Sequence, residues 1–251
     1  MYMEDTAENR AIYGLIGKEI SYSFSASYFN DFFDKSGWNG HYQNFDISSI
    51  EEVKKVFDTP CLKGCNVTTP YKTEVIPYLD EQDEESKVIG AVNCISFKQG
   101  KLTGHNTDAY GFTKSLKDQL KDEDRSALVL GATGGAAKAI IYALRTLGID
   151  VITVSRSGNS RFTYKSLDPT TVHNTPLIIN CTPLGTYPKT EQAPPIPYEA
   201  LNERHFLFDL VYNPEVSTFL GHGKNAGARV ENGYNMLVYQ AQRSWEIWNS
   251  L

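Results

Sequence analysis

SALVLGATGGAAKAIIYALRTLGIDVITVSRS, residues 126–157, decides the fold. The apolar run SALVL breaks at a glycine turn, after which Ala136, Ala139, Ile140, Ala143, Leu144 and Leu147 recur on one helical face. A second apolar run, VITV, follows. Strand, turn, helix and strand in this order form the unit from which doubly wound parallel sheets are built, and its helix N-terminus is a natural phosphate site. Gly131, Gly134 and Gly135 let the backbone approach a pyrophosphate closely. Many glycine turns serve packing alone, so the flanking strand and helix are what make this one a candidate dinucleotide site.

The end of the second strand selects the dinucleotide. NAD sites usually carry an acidic residue there, about twenty residues past the glycines, to accept the ribose hydroxyls. Here VITV runs into Ser155-Arg156-Ser157, and Asp150 lies at the opposite end of the strand. A guanidinium between hydroxyls suits a 2′-phosphate, so the expected cofactor is NADP(H).

Working outward, PLIIN and FLFDLVY read as buried parallel strands. NMLVYQAQRSWEIWN reads as a helix with Leu237, Ala241, Trp245 and Trp248 in register. Upstream, residues 108–125 predict a helix with Phe112, Leu116 and Leu120 on one face and an exposed charged linker, KDEDR, at its end. The first hundred residues alternate: a strand in AIYGLIG, a helix in YFNDFFDKSG, a strand in HYQNFDI, a helix in IEEVKKVF, and a hairpin turning at residues 98–101.

Composition narrows the function. Of 251 residues 41% are hydrophobic and 22% charged, and the net charge is −6, which gives no basic footprint for nucleic acid. No apolar run has the length of a membrane span, and the opening MYMEDTAENR lacks a signal-peptide pattern, so a cytoplasmic protein is expected. Cys61, Cys65, Cys94 and Cys181 form no CxxC pair and the histidines are scattered, so no metal is expected and the cysteines read as reduced and packed.

ISYSFSA, VTTPYK, AVNC and NTDAYG lie at strand ends and turns of the first half, where α/β sheets open their clefts. They offer hydroxyls, amides, one lysine and one carboxylate, an inventory suited to a small polyhydroxylated substrate. Pro70 biases Thr69 toward an extended conformation, leaving a short strand through Asn66 and Thr68 with Lys72 just past it.

These stretches, with GAVNC, NCTPLG, FDLVYNP and NGYNMLVYQA in the same order, resemble the shikimate dehydrogenases over nearly the whole chain. The resemblance implies NADPH-dependent reduction of 3-dehydroshikimate to shikimate, on the route to chorismate and the aromatic amino acids. It implies an α/β architecture of two domains: a mixed α/β substrate domain of residues 1–108 joined by a returning C-terminal helix, 231–251, and a Rossmann-like NADP-binding domain, 109–230. Carried over by position, Ser23 and Ser25 hold the substrate carboxylate with help from Tyr212. Asn66, Thr68, Asn93 and Gln240 bind ring hydroxyls, and Lys72 and Asp108 form the catalytic pair. Ala132, Ala136, Thr182 and Gly233 join the three glycines and Ser155, Arg156 and Ser157 around the cofactor. Gln240 has support of its own, three residues beyond Leu237 and beside an apolar face.

In that chemistry an ammonium near the reacting carbonyl stabilises the charge that hydride arrival leaves on oxygen, and supplies a proton. Burial lowers a lysine pKa and a neighbouring carboxylate raises it, so either acid/base transfer or electrostatic help is open to Lys72. The chain departs from the family pattern at Tyr22 and Ala26, where many members carry histidine and proline, and in GATGGAA, one residue longer than the common GAGGAA. Two other readings are an NAD-preferring quinate/shikimate dehydrogenase and a non-catalytic NADP(H)-binding regulator. The partners expected are small molecules, with a monomer or homodimer as the assembly.

Overall fold

The computed structural model describes residues 10–20 and 23–250. Tyr22 and most of the opening MYMEDTAENR lie outside the described residues. The chain divides into two units, one running up to Thr107 and resuming at Ala241, the other spanning Asp108–Gln240.

The first unit contains β1 (Ala11–Gly17), α1 (Phe24–Ser36), β2 (Gly40–Asp46), α2 (Val53–Phe57), β3 (Leu62–Val67), β4 (Glu81–Gln82), α3 (Glu84–Ile89), β5 (Cys94–Lys98) and β6 (Lys101–His105). Its sheet has the order β2-β1-β3-β5-β6-β4. β1 pairs in parallel with β2 and β3, whereas β5 is antiparallel to both β3 and β6, which is the expected hairpin. Alternation along β1 feeds two cores: Ile16 joins Val53, Val67 and Tyr71 in one, while Tyr13 and Leu15 join Phe29, Phe33, Tyr42 and Trp248 in the other. The second core is aromatic. Phe29 stacks on Tyr42 at 4.8 Å, and Trp248, 5.0 Å from Tyr13, donates its indole N–H to the Ile95 carbonyl at 3.0 Å.

α1 begins at Phe24, ahead of the YFND expected to open it. The 50–57 helix begins as a 3₁₀ turn, Ile50–Glu52, opened by a capping box of Ser49 and Glu52.

The second unit contains α4 (Asp108–Leu116), β7 (Ser126–Leu130), α5 (Gly135–Thr146), β8 (Asp150–Ser155), β9 (Phe162–Thr163), α6 (Pro169–His173), β10 (Leu177–Asn180), β11 (Phe206–Asp209), α7 (Thr218–Asn225), β12 (Arg229–Glu231) and α8 (Tyr234–Asn249), whose residues from Ala241 group with the first unit. The strands are all parallel, in the order β12-β11-β10-β7-β8-β9. Every residue of β10 and β11 is buried, which is why both read as unbroken apolar runs.

Three local expectations are corrected. Leu120 lies beyond α4, which gives way to a 3₁₀ turn at Lys117–Gln119 that buries no side chain able to hold a further α turn. On α5 it is Ala137, not Ala136, that is buried with Ala139, Ile140, Ala143 and Leu144. KDEDR is not simply an exposed linker, since Asp124 is 3% exposed and accepts from Arg229 at 2.8 and 2.9 Å. Among the described residues no helix is long and apolar enough to cross a membrane.

Candidate functional site

In the first unit the polar residues at the end of β3 are held from behind. The Val67 amide donates to the Asn93 carbonyl at 2.8 Å and the Val92 amide to the Lys72 carbonyl at 2.7 Å, so the turn that carries Thr68 and Lys72 is fastened to the segment entering β5. Thr68 and Lys72 are half-buried, while Asn66 and Asn93 are buried.

The Asn66 carboxamide is enclosed by neighbours. Its oxygen accepts from the Tyr42 phenol at 2.9 Å, and its nitrogen donates to Ser244 Oγ at 2.8 Å and to the Asn93 carbonyl at 3.2 Å. Burial pushes the Tyr42 pKa well above the usual tyrosine value, so the phenol stays neutral and keeps the proton it donates; Ser25 lies beside it as a hydrogen-bonding neighbour. The Asn93 side chain accepts from the Thr107 amide at 2.6 Å and donates to its hydroxyl at 3.0 Å.

Ser23 and Ser25 are half-buried at the start of α1. Ser23 occupies the N-cap position but caps nothing, and its hydroxyl is buried without a protein partner. A buried hydroxyl left unpaired is unfavourable, which marks Ser23 as a residue with a role other than closing the helix.

Asp108, 3% exposed, opens α4. One turn later Gly111 admits the backbone of α8: a Cβ there would lie 2.6 Å from the Met236 carbonyl and 3.0 Å from the Gln240 amide. Half-buried Gln240 is thereby placed next to α4.

The second unit carries the glycine turn. Gly131 has φ +77°, and a Cβ on it would meet the Thr182 methyl at 2.7 Å. Gly131 and Ala132 both donate to the Val154 carbonyl, and Gly134 is the N-cap of α5. Gly131, Gly134, Ser155, Arg156 and Thr182 line one cavity of about 400 Å³. Ala132, Gly135, Ala136, Ser157 and Gly233 are not in its wall, whereas Thr133, Tyr164, Cys181 and Leu184 are. Ser155 is 1% exposed and gives its hydroxyl to the Ser157 carbonyl at 2.6 Å; Arg156 is exposed. Tyr212 lines a second, separate cavity of about 490 Å³ with Glu215, Lys224 and Glu231. Gly233, two residues after Glu231, is fixed by the Leu210 carbonyl, which leaves no room for a Cβ.

Sequence reasoning missed the residues that hold these loops. Asn180 accepts from the Thr182 amide at 2.9 Å and its hydroxyl at 2.6 Å, while Asp209 accepts from Asn180, from the Val211 amide and from Ser217. Burial raises the Asp209 carboxyl to about 6, against the lowering effect of those three donors. The available signal was a polar residue closing each of two apolar strands. Also missed was a line of bonds from Asp83 to His105 Nδ1 (2.8 Å) and from His105 Nε2 to Ser96 (3.0 Å). Its order imitates a nucleophilic triad, but Ser96 is 3% exposed within β5, and Asp83 caps α3 through the Ser86 amide, so the line ties sheet to helix.

Donors and acceptors around small buried amides can bind a hydroxylated ring, and a glycine turn followed by an arginine rather than an acid can bind a phosphorylated dinucleotide. Residues 15–95 match the family described as the shikimate dehydrogenase substrate binding domain. The chain is 41% identical over 248 residues to the shikimate dehydrogenase (NADP(+)) of Clostridium beijerinckii, covering 94% of this chain and 91% of that one. A crystal structure of a shikimate dehydrogenase in complex with NADP+ superposes with a TM-score of 0.86 at 32% identity, covering 96% of this chain and 91% of the other. The shikimate 5-dehydrogenase of Thermus thermophilus in complex with NADP(H) and shikimate gives 0.84 at 29% identity, covering 96% and 94%.

Proposed function

The chain belongs to the shikimate dehydrogenase family, and on that premise we propose that it catalyses the reversible, NADPH-dependent reduction of 3-dehydroshikimate to shikimate. The observation that carries this reading is the likeness to an NADP(+)-dependent relative along 94% of the chain. The cavity at the glycine turn supports it, with Arg156 in its wall and no acid at the end of β8.

Bound NADPH supplies the hydride. The residues fit it: Gly131 and Gly134, the N-cap of α5, line the cavity and would hold the pyrophosphate, and Arg156 would meet the 2′-phosphate. Ser23 and Ser25 take the substrate carboxylate, and Asn66, Thr68, Asn93 and Gln240 the ring hydroxyls. Lys72 stabilises the negative charge that develops on the carbonyl oxygen and supplies its proton, and Asp108 takes a neighbouring hydroxyl. Tyr212 assists at the carboxylate. The enzyme acts on small molecules in the cytoplasm, as a monomer or homodimer, in the pathway to chorismate.

The test is the loss of NADPH absorbance on addition of 3-dehydroshikimate, with NADH and quinate as parallel arms. Rapid oxidation of NADPH and slow turnover in the other arms is expected. Faster turnover with NADH and quinate would move the chain to the NAD-preferring quinate/shikimate dehydrogenases, and no oxidation above background would overturn catalysis.

A further inference from the structure

We propose that Ser244 of α8 is a positioning residue that takes up the second amide hydrogen of Asn66, so that the carboxamide offers the substrate only an acceptor and this point of the site selects a ring hydroxyl. The inference rests on the substrate role given to Asn66 above.

The argument is one of capacity. A carboxamide has two hydrogens to donate and two lone pairs to accept with. Both Asn66 hydrogens are committed, one to Ser244 Oγ at 2.8 Å and the other to the Asn93 carbonyl at 3.2 Å. One lone pair receives the Tyr42 phenol at 2.9 Å. What remains is the second lone pair on Oδ1, which takes a hydrogen and cannot give one.

The orientation of the amide is not free to reverse. A backbone carbonyl only accepts, so the amide nitrogen must face Asn93; the phenol, kept neutral by burial, donates to the oxygen on the other side. Ser244 is 0% exposed and acts through Asn66 rather than on the ligand. Its hydroxyl also lies 3.3 Å from that of Thr107, whose amide is held by the Asn93 side chain at 2.6 Å. One buried serine thus touches Asn66 itself and, through Thr107, a support of Asn93, the two buried candidate hydroxyl binders. A site that accepts at this point rejects a ligand lacking the hydroxyl, because the lone pair is then left without a partner.

The experiment compares wild type, Ser244→Ala and Tyr42→Phe in shikimate oxidation with NADP+, using shikimate and its analogues lacking one ring hydroxyl each. Ser244→Ala is expected to raise KM for shikimate roughly 5- to 30-fold with kcat changed less than about threefold, as for the loss of one hydrogen bond in the ground state. For the analogue that lacks the hydroxyl held by Asn66, the same substitution should raise KM little. Tyr42→Phe, which removes the other fixed neighbour, should reproduce this pattern and keeps the test available where Ser244→Ala does not fold. An unchanged KM in both variants, or an equal rise for every analogue, overturns the inference while a working wild type leaves the proposed function standing. Absence of wild-type turnover overturns both.

Discussion

Asn180 and Asp209, register partners at the C-terminal ends of the parallel strands β10 and β11, are joined by a hydrogen bond of 2.9 Å between their fully buried side chains. Asn180 fixes the Thr182 turn in the wall of the cavity at the glycine turn, and Asp209 fixes Val211 and Ser217 on either side of Tyr212. Two loops nominated for ligand binding are therefore referenced to one buried pair.

Burial of Asp209 makes stability depend on pH. The Asp209 carboxyl, raised by burial from 3.8 to about 6, holds its proton more tightly in the folded state than in the unfolded one. Its contribution is thus most favourable below about 4 and is lost as pH rises through 6, a change of about 3 kcal/mol for a gap of roughly two pH units. Asp209→Asn keeps an oxygen for Asn180 and Val211 but does not titrate. The difference in Tm between variant and wild type should move in favour of the variant from pH 4 to 7. A difference that stays flat across that range refutes the assignment.

Lys72→Ala should lower kcat by roughly 10²- to 10⁴-fold, the range of general acid–base catalysis, and weaken shikimate binding much less. Steady-state rates together with equilibrium binding separate the two effects. A variant with wild-type kcat would remove Lys72 from the mechanism.

Replacing both Ser23 and Ser25 by alanine should raise KM for shikimate and leave kcat nearly intact, because a carboxylate remote from the reacting carbon is bound alike in ground and transition states. Ser23 adds a second readout. Its hydroxyl is buried without a protein partner, so Ser23→Ala alone should not lower the Tm of the ligand-free protein. A marked fall in Tm would assign it a structural role instead.

Arg156→Ala should weaken NADPH roughly 5- to 150-fold and leave NADH almost unaffected, as expected for a charge-assisted bond to the 2′-phosphate. The lower half of that range is favoured by its exposure. Fluorescence titration with both cofactors decides: equal losses would mean that Arg156 supports the adenine or the fold. Ser155 is not expected to compensate, since its hydroxyl is held by the Ser157 carbonyl.

What the sequence disclosed was set by periodicity and by backbone chemistry. The turn from β7 into α5, the β5–β6 hairpin and the buried runs of β10 and β11 were all legible, because a change of period or a glycine in a fixed place leaves few alternatives. The supporting contacts were not. Asp124 with Arg229, Asn66 with Ser244 and Asn180 with Asp209 lie 105, 178 and 29 positions apart, and no local pattern encodes such partners. Motif resemblance nominated Asn66 without Tyr42 or Ser244, which sit in stretches that otherwise read as ordinary packing.

The division of the chain within α8 has a temporal meaning. Trp248, in the aromatic core of the first unit, bonds to Ile95, 153 positions earlier, with the whole of Asp108–Gln240 in between. During synthesis Trp248 is added only after the whole of Asp108–Gln240, so the first unit is expected to complete its aromatic core only once the chain end is available. A released chain ending at residue 240 and challenged with protease should show Asp108–Gln240 protected and the earlier strands open to cleavage; protection of both would show that the indole is dispensable. The strands translated first are then expected to close last.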